Sequence, residues 1–250
     1  MIVDSLWHYP VKGLTGASLD SVQLEAGMHF PDDRLYAISN GHPKHDELTP
    51  GRWQKKWLFL QQMKIEALAA LDCRFDGTSL AIHHHGKVVV SADMDSAEGR
   101  RDIDSFFADF VGDQTPGAPR LMRVTEGSYA DTEAALISLG GTASVARFAK
   151  ITGTPPDMRR FRLNIMLATD TADAEAALIG HRVRLGGTIL KVVAPVGRCA
   201  AIDVDPETAL RGPHCLPLME KEFGHTDLGI FAEVVESGQV SLGDRLERLD

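Results

Sequence analysis

Apolar and polar positions along this chain alternate mostly with a period of two, and only two stretches show the period of a helix. Residues 2–9 are mixed apolar until Pro10 and Gly13 break the run. Residues 18–24 alternate, with Leu19, Val22 and Leu24 as the apolar marks. Residues 34–39 hold Leu35, Tyr36 and Ile38, and Asn40-Gly41 follows as a turn signal. Residues 41–51 predict a loop, and residues 57–71 fit neither period. Residues 79–83 and 87–91 predict a hairpin turning at His85-Gly86. Further along, strands are predicted over 120–125 and 159–169. Two more hairpins are predicted: 183–185 with 188–194 across Gly186-Gly187, and 230–235 with 240–246 through Ser237-Gly238.

The clearest helix places Ile103, Phe106, Phe107, Phe110 and Val111 on one stripe, and Gly112 stops it. A second, over 142–152, turns Val145, Phe148 and Ala149 inward, with Thr142 as the N-cap and Gly153 at its end. Between them lies GDQTPGAP, residues 112–119, the best boundary in the chain. It predicts a division into residues 1–115 and 116–250. Many short strands and few helices predict a mainly β, α+β fold with a barrel-like core.

Composition narrows the function classes. The chain has 250 residues, 44% hydrophobic and 24% charged, which is ordinary globular make-up. Its formal net charge of −9 disfavours general nucleic-acid binding, so a local basic patch is informative. No apolar run approaches the ~18–20 residues of a membrane span. Asp4 and His8 near the start argue against a secretory signal. Cys73, Cys199 and Cys215 are scattered and odd in number, which fits a reducing cytoplasm and excludes a four-cysteine metal site within the chain.

Three constellations could carry chemistry. In RRFRLNIML, strand parity puts Arg160, Arg162 and Asn164 on one face and Phe161, Leu163, Ile165 and Leu167 on the other. Two arginines and an amide make a forked donor surface for phosphate or carboxylate, or a solvated face paired with the chain's acids. In VAPVGRCAAID, Arg198-Cys199 lies just past a strand break, and an arginine beside a thiol favours the nucleophilic, metal-binding thiolate. The alternative is a buried cysteine acting as a small hydrophobe. Near the N-terminus, Lys12 in YPVKG and Arg34 in DDR could complete an anion pocket or be surface charges. His83 and His85 would share a strand face but have no carboxylate or cysteine at ligand spacing, so a surface hairpin is expected there. Cys73 ends an apolar run and is expected in packing, whereas Cys215 lies in the loop GPHCLP and could be exposed, with nothing to pair with it.

Together these motifs resemble the MOSC family, named for the C-terminal domain of molybdenum cofactor sulfurases, in the version preceded by a MOSC N-terminal β-barrel domain. The resemblance rests on YPVKG with DDR, FRLNIML, GRCAAIDVDPETA and the closing LGIFAEVVESGQVSLGD. Gly13 stands where the family usually has Ser, Leu163 where it has Pro, and the Gly usual after Thr208 is missing. The resemblance implies residues 1–115 as the N-terminal barrel-like domain and residues 116–250 as the MOSC domain. It implies a molybdenum cofactor, the metal bound to a phosphate-bearing molybdopterin, with Cys199 as metal ligand and catalytic centre. Lys12, Arg34, Ser144, Arg160, Arg162, Asn164 and Arg198 would bind the cofactor. It is similar to the amidoxime-reducing components, which implies an oxidoreductase acting on N-hydroxylated small molecules. Three scattered cysteines cannot hold a four-cysteine iron–sulfur cluster, so a separate electron-donor protein is expected. Two other readings stand beside it: sulfur transfer through a Cys199 persulfide, and a non-catalytic carrier of the cofactor.

Overall fold

A computed structural model describes residues 1–45 and 51–250 of the chain. The fold is mainly β with few helices, built on an eight-stranded sheet curled into a half-barrel. Across that sheet the strands run Leu246–Arg248, Arg182–Leu185, Thr188–Gly197, Asp227–Glu236, Ile137–Gly141, Ile165–Ala168, Ile2–His8 and Ala17–Leu19. Neighbours are antiparallel except Ile137–Gly141 with Ile165–Ala168, where Leu139 faces Ile165 in parallel register. The N-terminal strand thus lies inside a sheet otherwise made by the second half of the chain, with Leu6 opposite Ile165. Alternation along these strands delivers Val3, Leu6, Leu139, Ile165, Leu167, Val183, Leu190, Val192, Ile230 and Ala232 to one core.

A second core is formed by residues 11–121. The hairpin Ser79–His84 with Lys87–Asp93 turns as expected at His85-Gly86, and Asp72–Asp76 adds a third strand. Helix α1, Ala97–Val111, buries Ile103, Phe107 and Val111 against this sheet. Its N-cap is Ser96, whose hydroxyl accepts from the Gly99 N–H at 2.9 Å, and Gly112 ends it as predicted. Helix α2, Thr142–Thr152, buries Val145, Phe148 and Ala149 and ends at a left-handed Gly153. Helix α3, Cys215–Phe223, packs Cys215 and Met219 beside it. Among the described residues no helix is long and apolar enough to cross a membrane.

Several expectations are corrected. Residues 159–164 are not strand. Asp157 accepts the Arg159 N–H at 2.9 Å and starts a 3₁₀ turn, Met158–Phe161, and Arg162 adopts a left-handed backbone. Phe161, Leu163, Ile165 and Leu167 are buried as parity predicted, but so are Arg160 and Asn164, because a tight turn does not separate two faces. Residues 240–246 do not fold back on 230–235. Gly187 N–H donates to the Gln239 carbonyl at 2.8 Å, and this contact leads Gly238–Ser241 away to pair with Ser21–Leu24, Val240 opposite Val22. Residues 18–24 are two strands split at Asp20, not one. Residues 57–71 are neither helix nor strand in the main but two 3₁₀ turns, Lys56–Leu58 and Glu66–Ala70. Thr142 is the first helical residue, not the cap; its hydroxyl accepts from the Thr169 N–H at 3.1 Å instead. The loop expected over 41–51 contains a short turn, Pro43–His45, and its remaining part at 46–50 lies outside the described residues.

Candidate functional site

The long strand Thr188–Gly197 ends where the chain turns into the 3₁₀ segment Ala200–Asp203, and Arg198-Cys199 occupies that corner. Cys199 is half-buried, whereas Cys73 and Cys215 are buried. Burial pushes both of those thiols up to about 12, so neither is poised to react. Arg198 is fixed by carbonyls: its Nε and Nη2 donate to Leu228 O and its Nη1 donates to Phe161 O at 2.8 Å.

Facing this corner, the N-terminal portion supplies two cations. Lys12 ends the short strand Val11–Lys12, held parallel to Tyr36–Ser39. Its buried ammonium donates to the Tyr129 carbonyl at 2.8 Å and to Asp131 Oδ1 at 2.6 Å. Burial lowers its pKa, and Asp131 offsets part of that shift. Arg34 pairs with Asp33 and donates from Nη2 to the Arg162 carbonyl at 3.0 Å. Burial would lower Arg34, but the Asp33 charge, together with Tyr9, the hydrogen bond to Asp33 and the Asp131 charge, raises it. Arg162 donates from Nη1 to the Leu14 carbonyl, while its Nη2 is buried without a partner among the described residues. Burial, then the charge of Arg34, lowers Arg162 to about 10, so it stays charged at neutral pH. Burial likewise lowers Arg198 to about 10. Arg34 and Arg162 both hold left-handed backbone at φ 56° and 53°, a conformation uncommon for non-glycine residues.

These groups line one cleft of about 300 Å³. Lys12, Arg34, Arg160, Arg162, Asn164, Arg198 and Cys199, nominated from the sequence, all border it, together with Lys56. Among the described residues its carboxylates are Asp33 and Asp131, so six cations face two acids there, on a chain of charge −9. The cleft is therefore a local positive well of the kind that concentrates anions.

Two nominated polar side chains are already committed inside it. Arg160 donates from Nη1 to the Ile202 and Val204 carbonyls at 3.0 and 2.7 Å, and from Nη2 to Asp205 at 3.0 Å. Asn164 Oδ1 accepts from the Ser138 N–H and hydroxyl at 3.1 and 2.8 Å, tying two core strands together. Ser144 is not brought to the cleft. It lies in α2, buried, with its hydroxyl accepting from the Asp173 N–H at 2.9 Å.

The departures at Gly13 and Leu163 have local causes. Gly13 lies at φ +85°, and a Cβ there would stand 2.7 Å from the Leu60 carbonyl oxygen, so a serine does not fit this backbone. Leu163 is buried, its side chain filling the space over Gly140 and Gly229.

Sequence reasoning missed Lys56, Asp131 and Asp33, which line the cleft, and Tyr9, whose ring lies against the Arg34 and Arg162 guanidinium groups. Asp33 and Tyr9 stood inside the quoted DDR and YPVKG motifs and could have been found there. Lys56 and Asp131 belong to irregular segments whose placement only the fold reveals.

The MOSC domain model matches residues 123–247. The chain belongs to the MOSC domain family. This membership supports a molybdenum-cofactor-related role, and MOSC proteins are often enzymes associated with that cofactor. No curated protein matches the chain significantly by sequence. Among solved structures, the YUAD protein from Bacillus subtilis aligns over 98% of this chain and 93% of its own, at 11% identity and a TM-score of 0.46. YiiM from Geobacillus stearothermophilus aligns over 46% of this chain and 54% of its own, at 18% identity and a TM-score of 0.36. YiiM from Escherichia coli aligns over the same shares at 17% identity and a TM-score of 0.35.

The residues present suit the MOSC cofactor in two respects. Arg162 Nη2, a buried charged donor without a partner among the described residues, lacks an acceptor that a ligand anion can supply. Cys199 is a single soft donor, and among the described residues no cluster of three or more His, Cys, Asp or Glu could hold a bare ion. A metal at Cys199 must therefore arrive with ligands of its own, as a pterin-bound metal does.

Proposed function

We propose that this MOSC protein is a molybdenum-cofactor-dependent oxidoreductase that reduces N-hydroxylated or related N–O compounds, with electrons from a separate donor protein. The observation that supports this most is the meeting of the half-buried Cys199 with Arg162, whose buried Nη2 has no partner among the described residues, in one positively charged cleft. In this reading Cys199 ligates the metal, and Lys12, Arg34 and Arg162 hold the cofactor's phosphate and pterin. Arg198, pinned by three hydrogen bonds to carbonyls, keeps a positive charge next to the sulfur. The cofactor, when bound, supplies the two-electron chemistry, and the protein contributes ligation, orientation and electrostatics.

The test is to produce the chain in a host that makes the cofactor, and to measure molybdenum and pterin per chain together with turnover of an N-hydroxylated amidine by a chemically reduced dye. Stoichiometric molybdenum with turnover is expected. Molybdenum-free protein from that host would overturn the reading, and molybdenum without turnover would leave the carrier role. A second reading, sulfur transfer, is favoured by one observation: of the three cysteines only Cys199 is not buried. Sulfane sulfur on Cys199 in metal-free protein would select it.

A further inference from the structure

The cleft's two carboxylates are held in different ways. Asp33 is fixed: its side chain is buried, Oδ1 accepts the Tyr9 N–H at 2.8 Å, and Oδ2 pairs with Arg34. Asp131 reaches in from the irregular segment between Arg120–Arg123 and Ile137–Gly141, and its side chain is 57% exposed. Its two oxygens address different lysines. Oδ1 is 2.6 Å from Lys12 Nζ and Oδ2 is 3.6 Å from Lys56 Nζ.

We propose that Lys12 and Lys56 form a phosphate subsite whose place is held by Asp131 until the phosphate of a ligand displaces it. The proposal deepens the anion-binding reading of the cleft and rests on it. Three observations support the exchange. A carboxylate bridging two ammonium groups presents oxygens much as two phosphate oxygens would, so one anion can replace the other on the same donors. Lys12 keeps its hydrogen bond to the Tyr129 carbonyl at 2.8 Å and is wedged in a buried position, so it stays aimed when Asp131 leaves. Asp131 has water to turn into, because more than half of its side chain is already exposed. Lys12 does not have that freedom. A buried ammonium left without an anion is costly, so departure of Asp131 must coincide with arrival of another anion. The subsite is then closed to weak anions, because an incoming anion must offset the loss of the Lys12–Asp131 pair as it binds.

Isothermal titration of the purified, cofactor-free chain with inorganic phosphate tests this. Asp131→Asn is expected to bind phosphate about tenfold tighter than the unmodified chain, since the competing state is removed. Lys56→Gln in the Asp131→Asn background should give back most of that gain, and Lys12→Met should remove binding in either background. Should Asp131→Asn misfold, Asp131→Ser removes the same charge with a smaller side chain. Equal or weaker phosphate binding in Asp131→Asn, with Lys12→Met still abolishing it, would overturn the displaceable role and make Asp131 a permanent counter-ion. Phosphate binding indifferent to Lys12→Met, or absent from every variant, would overturn the anion-cleft reading itself.

Discussion

Arg162 sets its guanidinium carbon 4.4 Å from the centre of the Tyr9 ring. Arg34 approaches the same ring at 4.9 Å. Two like charges thus share one aromatic partner, whose negative faces offset part of their repulsion. The ring itself is closely packed. Tyr9 is buried, its hydroxyl contacts the Leu163 carbonyl at 3.4 Å, and burial raises its pKa to about 12, so the phenol stays neutral. Gly16 lies against the ring, where a Cβ would stand 2.5 Å from it. The ring thereby holds two cations side by side in the positive cleft.

The ring should matter more than its hydroxyl. Tyr9→Phe loses one long hydrogen bond and is expected to cost under about 1 kcal/mol. Tyr9→Leu loses the aromatic face as well as volume and is expected to cost about 2–4 kcal/mol and to weaken phosphate binding. Urea unfolding and phosphate titration of both variants check this; equal losses in the two would remove the ring from the argument.

Arg160 invites a different expectation from Arg162. Its side chain is 1% exposed and three of its contacts go to the segment that follows Cys199. Asp205→Ala leaves that charge with carbonyl partners alone and should destabilise the fold by about 1–3 kcal/mol, read as a lower thermal midpoint. Phosphate affinity should stay close to that of the unmodified chain. A loss of affinity without a loss of stability would move Arg160 into the ligand-binding group.

The legible parts of this molecule were those with local signals. Helix α2 was readable, its N-cap apart, because Val145, Phe148 and Ala149 share a stripe and Gly153 supplies a left-handed end. The cleft was readable because Lys12, Arg34, Arg162 and Cys199 sit in short motifs at turns and strand ends. What failed was set by distant contacts. Arg160, Arg162 and Asn164 meet the cleft from a turn and a left-handed corner, not from one strand face, and alternation alone cannot tell these apart. The pairing of Gly238–Ser241 with Ser21–Leu24 joins segments more than 200 positions apart, which no local turn signal encodes. Asp131 carries no motif; it matters only because the fold sets it over Lys12.

The Lys12–Asp131 pair predicts a pH signature. Burial would raise the Asp131 carboxyl, but Lys12, then Lys56 and Arg34, hold it well below the ordinary carboxylate range. A group with a depressed folded pKa contributes stability above its unfolded value near 3.9, and loses it as pH falls toward the folded value. Solvent screening at this half-exposed side chain keeps the contribution modest. The stability difference between the unmodified chain and Asp131→Asn should therefore be constant from about pH 5 to 8 and shrink steadily below about pH 4. A difference that instead changes between pH 5 and 8 would place the titrating group elsewhere.

The last expectation concerns the three thiols. Cys199 is half-buried at the cleft, while Cys73 and Cys215 are buried, with thiols pushed up to about 12 by their surroundings. Under native conditions an alkylating reagent should label Cys199 alone, and the other two should react only on unfolding. Cys199→Ser should leave the thermal midpoint nearly unchanged, since a half-exposed isosteric change costs little packing. Cys73→Ser and Cys215→Ser should each cost about 1–3 kcal/mol, because each buries a hydroxyl where a weakly polar sulfur sat. Cofactor occupancy then separates the functional readings. A Cys199 sulfur bound to metal should be protected from alkylation in cofactor-loaded protein and should regain full reactivity once the cofactor is removed. A persulfide carrier should be labelled in both states. Equal labelling with and without cofactor would end the metal-ligand assignment, and a Cys199 that resists alkylation even in the empty protein would end both readings.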